Sequence, residues 1–349
     1  MSLAARIAER IRAEGPLPVG QVMAAAVESY YAGRDPFGAK GDFITAPEIS
    51  QMFGELIGLW AVVVWQGMGM PDRVVLAELG PGRGTLMADL LRAARQVPPF
   101  RAALEPWLVE TSPKLRKAQR KALSGEQIQW AARIEDLPPG PLLLVANEFF
   151  DALPVDQYVK RDGVWHERRV DVADGAFGFV VGPPATPDLA PAVAAAADGA
   201  IAEICPEGRR IAALLGRRLT AEPGVALMID YGYGRSAAGD SLQALKHHKY
   251  HPALEDLGNA DLTAHVDFEA LALAAMPART WGPVGQGDFL RALGIEQRAA
   301  VLTRGKPAEV VADMVGRMHR LIDPHEMGTL FKVAALAHPA LPPPPGLDG

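Results

Sequence analysis

One stretch constrains the fold more than any other: Val74-Val-Leu-Ala-Glu78-Leu-Gly80-Pro-Gly82-Arg-Gly84-Thr85. Its residues up to Leu79 are mostly apolar and β-branched, the pattern of a strand buried on both faces. Gly80 to Gly84 then make a tight turn. From Thr85 a helical pattern begins, with Leu86, Leu90 and Leu91 on one face. Strand, glycine turn and helix predict the first βα unit of a Rossmann-like α/β sheet. Glycines tolerate positive φ and let a ligand approach the backbone. The helix N-terminus behind them favours a carboxylate or phosphate.

The spacing of the glycines narrows the cofactor. Dinucleotide enzymes use G-x-G-x-x-G. Here the run is G-x-G-x-G, Thr85 stands at the third dinucleotide position, and acidic Glu78 sits two before the first glycine. This combination resembles the first motif of class I S-adenosylmethionine (SAM) methyltransferases. The next strand, around Trp107-Leu-Val109, ends in Glu110, and Thr111-Ser-Pro113 opens another helix. An acid at that tip can accept both ribose hydroxyls through its two oxygens. The competing reading is that Glu78 and Glu110 only cap helices.

The chain has 349 residues, room for two domains or one α/β domain with insertions, and 49% hydrophobic residues. A net charge of -6 without a long basic run argues against a protein dependent on non-specific nucleic-acid affinity. Cys205 is the single cysteine, so no internal disulfide and no cysteine-rich zinc site can form. No apolar run is long enough for a membrane span. Residues 1–14 mix Arg6, Arg10 and Arg12 with Glu9 and Glu14, unlike an acid-poor transit peptide, so a cytoplasmic, bacterial protein is expected. The proline-rich end, residues 339–349, is expected to be disordered.

Along the chain, Leu3, Ile7 and Ile11 recur at helical spacing until Gly15-Pro16, and a second helix carries Val22, Met23, Val27, Tyr30 and Tyr31. Thr45-x-x-Glu48 has capping-box spacing and predicts a helix that buries Ile49, Met52, Phe53, Leu56 and Ile57. Gln127–Ala131 and Leu142–Ala146 read as the third and fourth strands. The turn after the third contains Asp136, placed to accept from an adenine amino group. The fourth runs into Asn147-Glu148-Phe-Phe-Asp151-Ala-Leu-Pro154, where an open α/β sheet presents ligands. Residues 155–182 alternate like an inserted β-meander, with Asp162-Gly163 as a hairpin turn. A helix over 207–219, a fifth strand over 224–229 and two late strands over 278–284 and 328–335 complete the sheet. Asp267 reads as a helix cap. His247, His248 and His251 lie close together, but basic neighbours suit an exposed loop better than a metal site.

At the level of a family, Gly41-Asp-Phe-Ile-Thr45, Glu78-Leu-Gly-Pro-Gly82, Asn147-Glu-Phe-Phe-Asp-Ala-Leu-Pro154, Asp230-Tyr-Gly232 and Thr263-Ala-His-Val-Asp-Phe268 are similar to the MidA-like methyltransferases. Gly282-Pro-Val-Gly-Gln-Gly287 and Met327-Gly-Thr-Leu-Phe-Lys332 extend the similarity to about residue 338. Mitochondrial relatives act in respiratory complex I assembly and are linked to symmetric dimethylation of an arginine on a core subunit. The resemblance implies a class I methyltransferase sheet with helices on both faces and a SAM-dependent protein arginine methyltransferase. A SAM-binding assembly chaperone with little catalysis, or a methyltransferase of small molecules, stays open beside it. The expected partner is a protein, with no nucleic acid.

The expected acceptor-side acids are Glu148 and Asp151, because carboxylates hold a guanidinium bidentately. The expected cofactor residues are Glu78, Gly80, Gly82, Gly84, Glu110, Asp136 and Asn147, with Asp42 and Thr45 from a loop expected to fold over the cofactor. The expected organisation is a helical region over 1–70, a methyltransferase domain over 71–338 with insertions near 155–205 and 235–325, and the tail.

Overall fold

In the computed structural model, which describes residues 1–33 and 44–347, the apolar runs become a central sheet. Its strands are β1 (Val74–Leu79), β2 (Leu104–Val109), β3 (Gln129–Ala131), β4 (Leu142–Asn147), β5 (Gly224–Tyr233), β6 (Arg279–Gly285) and β7 (Phe331–Ala337). Every residue of β1 and β4 is buried, which explains why both read as mostly apolar runs rather than alternating ones. The strands lie in the order β6-β7-β5-β4-β1-β2-β3. The pairs from β5 to β3 are parallel, and β7 runs antiparallel to both its neighbours. The order reverses at β1, so the β1–β4 junction is the switch point where such sheets take ligands. Register aligns the strand ends: Leu79 lies opposite Val109 and Ala146, and Asn147 lies opposite Ile229.

Four helices of this unit matter for the site: α1 (Ala46–Ile49), α2 (Gln51–Gly67), α3 (Thr85–Ala94) and α4 (Pro113–Ala122). The expected helix from Thr45 is split in two. Thr45 is the N-cap residue of α1 but makes no side-chain cap, and Glu48 turns to other partners. Ser50 interrupts the helix in extended conformation, and its hydroxyl accepts from Met52 N at 3.2 Å to start α2. The expected face stays buried, from Ile49 to Ile57.

The expected disorder of the tail is not observed for residues 339–347. Leu347 is 2% exposed and belongs to the core around β7, while Trp60 Nε1 donates to Pro345 O at 3.2 Å. Proline content limits regular hydrogen bonding but not apolar burial. The last strand is also shorter than expected, because Met327–Leu330 form a helical turn before β7.

The chain divides into two compact units, differently from the expected 1–70 and 71–338 division. The sheet unit comprises residues 44–150, 211–232 and 271–349, and the second comprises 1–43, 151–210 and 233–270. The helix Gln51–Gly67 thus belongs with the sheet, whose core includes its Phe53, Leu56 and Trp60. In the second unit, helices Leu3–Glu14 and Val19–Gly33 bury Ile7, Ile11, Val22 and Met23 against Val155, Val170 and Leu262. The meander Asp156–Arg161, Val164–Ala173 and Ala176–Pro184 is antiparallel and gains the strand Ile201–Ile204, which the alanine-rich run around it had concealed. Asp267 Oδ1 accepts from Ala270 N at 2.9 Å, the cap its position suggested.

Candidate active site at the strand ends

The glycine turn has the backbone its composition demands. Gly80 has φ +58° and Gly84 has φ +85°. A Cβ on Gly80 would lie 2.8 Å from Phe149 Cδ2, so a side chain there meets both steric and conformational resistance. Gly84 precedes α3 in left-handed conformation and offers no side-chain cap, leaving the first N–H groups of α3 to an incoming anion.

Glu110 extends from β2, with its N–H donating to Ala131 O at 3.1 Å. Its Oε1 accepts from Ser112 N at 2.7 Å and its Oε2 from Gln119 Nε2 at 3.3 Å. Burial raises its pKa, opposed by the N–H groups of Ser112 and Thr111 and by Gln119. Gln119 was not anticipated. It is fully buried, donates to Gly82 O at 2.8 Å, and accepts from Trp130 Nε1 at 2.9 Å. One amide therefore ties the glycine turn, Glu110 and β3 together. Its signal was its place between Leu115 and Leu123, on the apolar stripe of α4.

Glu78 is 4% exposed, and burial pushes its carboxyl up to about 8, with a backbone hydrogen bond from Met87 opposing. Its Oε2 has no hydrogen-bond partner among the described residues. An unfolded glutamate ionises near ~4.3. Between that value and the folded one, the folded state holds a proton that the unfolded state has lost. Stability contributed at this site is therefore full in acid and falls as pH rises through about 8. Glu78→Gln should flatten the fall of melting temperature between these pH values, measured by calorimetry on both proteins. A fall as steep as in the parent sequence would show that Glu78 does not titrate there.

At the end of β4, Asn147 is buried and Glu148 half-buried. Glu148 has φ +50°, a rare conformation for a residue with a Cβ, and its N–H donates to Ile229 O at 2.9 Å. Its Oε1 accepts from Ala46 N at 3.1 Å and from Asn147 Nδ2 at 3.0 Å. Asn147 Oδ1 has no hydrogen-bond partner among the described residues. Asp230 fixes this turn from β5. It is 1% exposed, and its Oδ2 accepts from Phe149 N at 3.1 Å and Phe150 N at 2.9 Å, while Oδ1 accepts from Tyr231 N at 3.0 Å. Sequence reading assigned Asp230 no role.

Other anticipated residues are distributed as follows. Glu48 Oε1 accepts from Thr85 Oγ1 at 2.9 Å, and Oε2 lies 3.6 Å from an Arg83 nitrogen, linking α1 to the glycine turn. Thr45 is buried at the start of α1. Asp136 closes its own short turn, accepting from Arg133 N at 3.1 Å. Asp151 belongs to the second unit, where it is buried and its carbonyl accepts from Ala264 N at 3.0 Å. Asp42 and the rest of Gly41–Phe43 lie outside the described residues. No group of three or more His, Cys, Asp or Glu among the described residues is arranged to hold a metal.

The donors and acceptors suit SAM. The left-handed glycines and open helix start have room for a carboxylate, Glu110 offers a carboxylate at the second strand tip, and Glu78 Oε2 and Asn147 Oδ1 are buried acceptors without partners among the described residues. Comparison with known proteins agrees. Residues 56–285 match the family described as "Putative S-adenosyl-L-methionine-dependent methyltransferase". The chain is 35% identical to the mitochondrial protein arginine methyltransferase NDUFAF7 of Danio rerio, over 97% of this chain and 87% of the relative. It is 37% identical to the mitochondrial homolog of Drosophila melanogaster, over 96% and 84%. A crystal structure from Burkholderia thailandensis, of a methyl transferase candidate bound to S-adenosyl-homocysteine, superimposes with a TM-score of 0.84 at 28% identity, over 99% of this chain and 92% of that one. The expected cytoplasmic location is overturned by these relatives, which are named as mitochondrial. Among the described residues no helix is long and apolar enough to cross a membrane. With the sheet order, the glycine turn and the matches in accord, the chain belongs to the MidA-like family of SAM-dependent methyltransferases, the family of the NDUFAF7 protein arginine methyltransferases.

Proposed function

We propose that this protein methylates an arginine side chain of a protein, by symmetric dimethylation, and that the acceptor is a core subunit of respiratory complex I. The observation that carries the reading is Glu148, a carboxylate held at the end of β4 in left-handed conformation by Ala46 N–H and Asn147. Such strained residues concentrate where function over-determines the backbone. Further support comes from the relatives, which are named protein arginine methyltransferases.

SAM supplies a methyl group on a sulfonium centre. The protein's own residues supply orientation and charge. A guanidinium loses its proton only above ~12, so the acceptor arrives charged. Glu148 accepts from it and biases its charge toward the nitrogen that is not attacked, while the attacked nitrogen gains the methyl group, S-adenosyl-homocysteine departs as the leaving thioether, and one proton passes from that nitrogen to solvent. Gly80, Gly82 and Gly84 leave room for the cofactor carboxylate beside α3. Glu78 and Asn147 offer acceptors to its ammonium, Glu110 holds the ribose hydroxyls, and Asp136 takes the adenine amino group. Thr45 contributes from the start of α1.

Glu110→Ala removes at least one charge-assisted hydrogen bond, worth ~1.5–3 kcal/mol. Calorimetry should show S-adenosyl-homocysteine binding weakened by a factor of ~10 or more. Unchanged affinity would remove Glu110 from the cofactor site. The reading as a whole is tested by incubating the protein with methyl-labelled SAM and a cell extract. Label in protein is expected. Label confined to small molecules or RNA would replace the proposed substrate class.

A further inference from the structure

The short helix α1 is tied to three other elements of the sheet unit, through a different residue each time. At its start, Ala46 N donates to Glu148 Oε1 at 3.1 Å. From its middle, Glu48 Oε1 accepts from Thr85 Oγ1 at 2.9 Å, and Oε2 lies 3.6 Å from Arg83 Nη1. At its end, Ile49 O accepts from Arg317 Nη1 at 3.1 Å, on the helix Ala308–Ile322. A helix of four residues closes too few backbone bonds to persist alone. These links, with the burial of Ala46, Pro47 and Ile49, therefore set where α1 lies.

Two of the links reach the two sides of the reaction. Arg83 and Thr85 flank Gly84, in the turn that leaves room for the cofactor carboxylate, and Glu148 is the acid on the acceptor side. Helix capping does not account for Glu48, because Thr45 makes no side-chain cap and both Glu48 oxygens face the glycine turn. Ala46 and Glu48 stand two residues apart, and the helical backbone fixes their separation. What holds Glu48 against the turn thus also fixes the N–H group that holds Glu148 Oε1.

We propose that Glu48 is a positioning residue that aligns Glu148 with the cofactor turn, acting through α1. The inference rests on Glu148 being the carboxylate for the acceptor. Methyl transfer is sensitive to such alignment, since a misplacement of ~1 Å can cost a factor of ~10² in rate. Through Glu48, the acceptor carboxylate is placed relative to the cofactor turn and not by its own strand alone.

The test uses the full chain, methyl-labelled SAM at saturation and a cell extract as the source of acceptor. Glu48→Ala should lower the rate of label entering protein by a factor of ~10 or more, while S-adenosyl-homocysteine affinity, read by calorimetry, stays within a factor of ~3. Thr85→Val removes the same hydrogen bond from its other side and should match Glu48→Ala. Thr85→Ser keeps the hydroxyl and should restore the parent rate. Added to Glu148→Gln, Glu48→Ala should change the rate by less than a factor of ~2, because two residues acting through one group are not additive. Normal transfer by Glu48→Ala or Thr85→Val would overturn the proposal, as would a full further loss in the double variant. Rate, affinity and melting temperature falling together in both single variants would show a structural role and also overturn it. Failure of the underlying reading registers separately, as normal transfer by Glu148→Gln or as absence of labelled protein with the parent sequence.

Discussion

Glu148→Gln should leave S-adenosyl-homocysteine affinity within a small factor of the parent while methyl transfer falls by ~10² or more, the usual scale for losing a group that acts on transition-state charge. Gln keeps the shape and the oxygen that accepts from Ala46 N and Asn147 Nδ2. It loses the negative charge proposed to hold and polarise a guanidinium. Single-turnover transfer alongside calorimetric binding separates the outcomes. Normal transfer would remove Glu148 from the acceptor side. Loss of cofactor binding would move it to the cofactor side.

The second large effect concerns Asp230. Its two oxygens accept from three backbone N–H groups, those of Phe149, Phe150 and Tyr231, at a site 1% exposed. Asp230→Ala strands these donors, and two or three buried unsatisfied groups cost about 3 kcal/mol or more together. In a chain of this size the melting temperature should fall by ~6 °C or more. Asp230→Asn keeps one acceptor and should fall less. Because Asp230 holds the turn that presents Glu148, Asp230→Asn should also lower the rate of methyl transfer more than cofactor affinity. A melting temperature unchanged in Asp230→Ala would mean that water replaces the carboxylate.

These two residues show what was legible beforehand. The place of Glu148 at a strand end was visible because an apolar strand ran into a polar cluster. Asp230 ended the next strand in the same way, yet its carboxylate turns to backbone N–H groups on the neighbouring strand end, a pairing only the register reveals. Gln119 was hidden for a related reason: its partners Gly82, Glu110 and Trp130 are remote in sequence. The β1–α3 unit, the meander and the Asp162-Gly163 turn were readable because each is specified locally by period and turn chemistry. The grouping of helices was not. Gln51–Gly67 adjoins the N-terminal helices in sequence but packs with the sheet, since its buried face is broad enough to need a larger core. The tail misled because proline content signals disorder while Leu347 supplies an apolar anchor.

Proton placement at Glu78 and turn geometry at Gly80 bear on the cofactor, whereas the identity of the methylated atom decides the activity. It is reached by amino-acid analysis: the protein is incubated with methyl-labelled SAM and purified complex I core subunits, and the labelled product is hydrolysed in acid. The label should elute as methylated arginine, with the symmetric dimethyl form dominant at completion, and should fall by ~10² or more with Glu148→Gln. Label eluting as methylated lysine, released as methylamine or methanol on hydrolysis, or recovered outside protein, would contradict it.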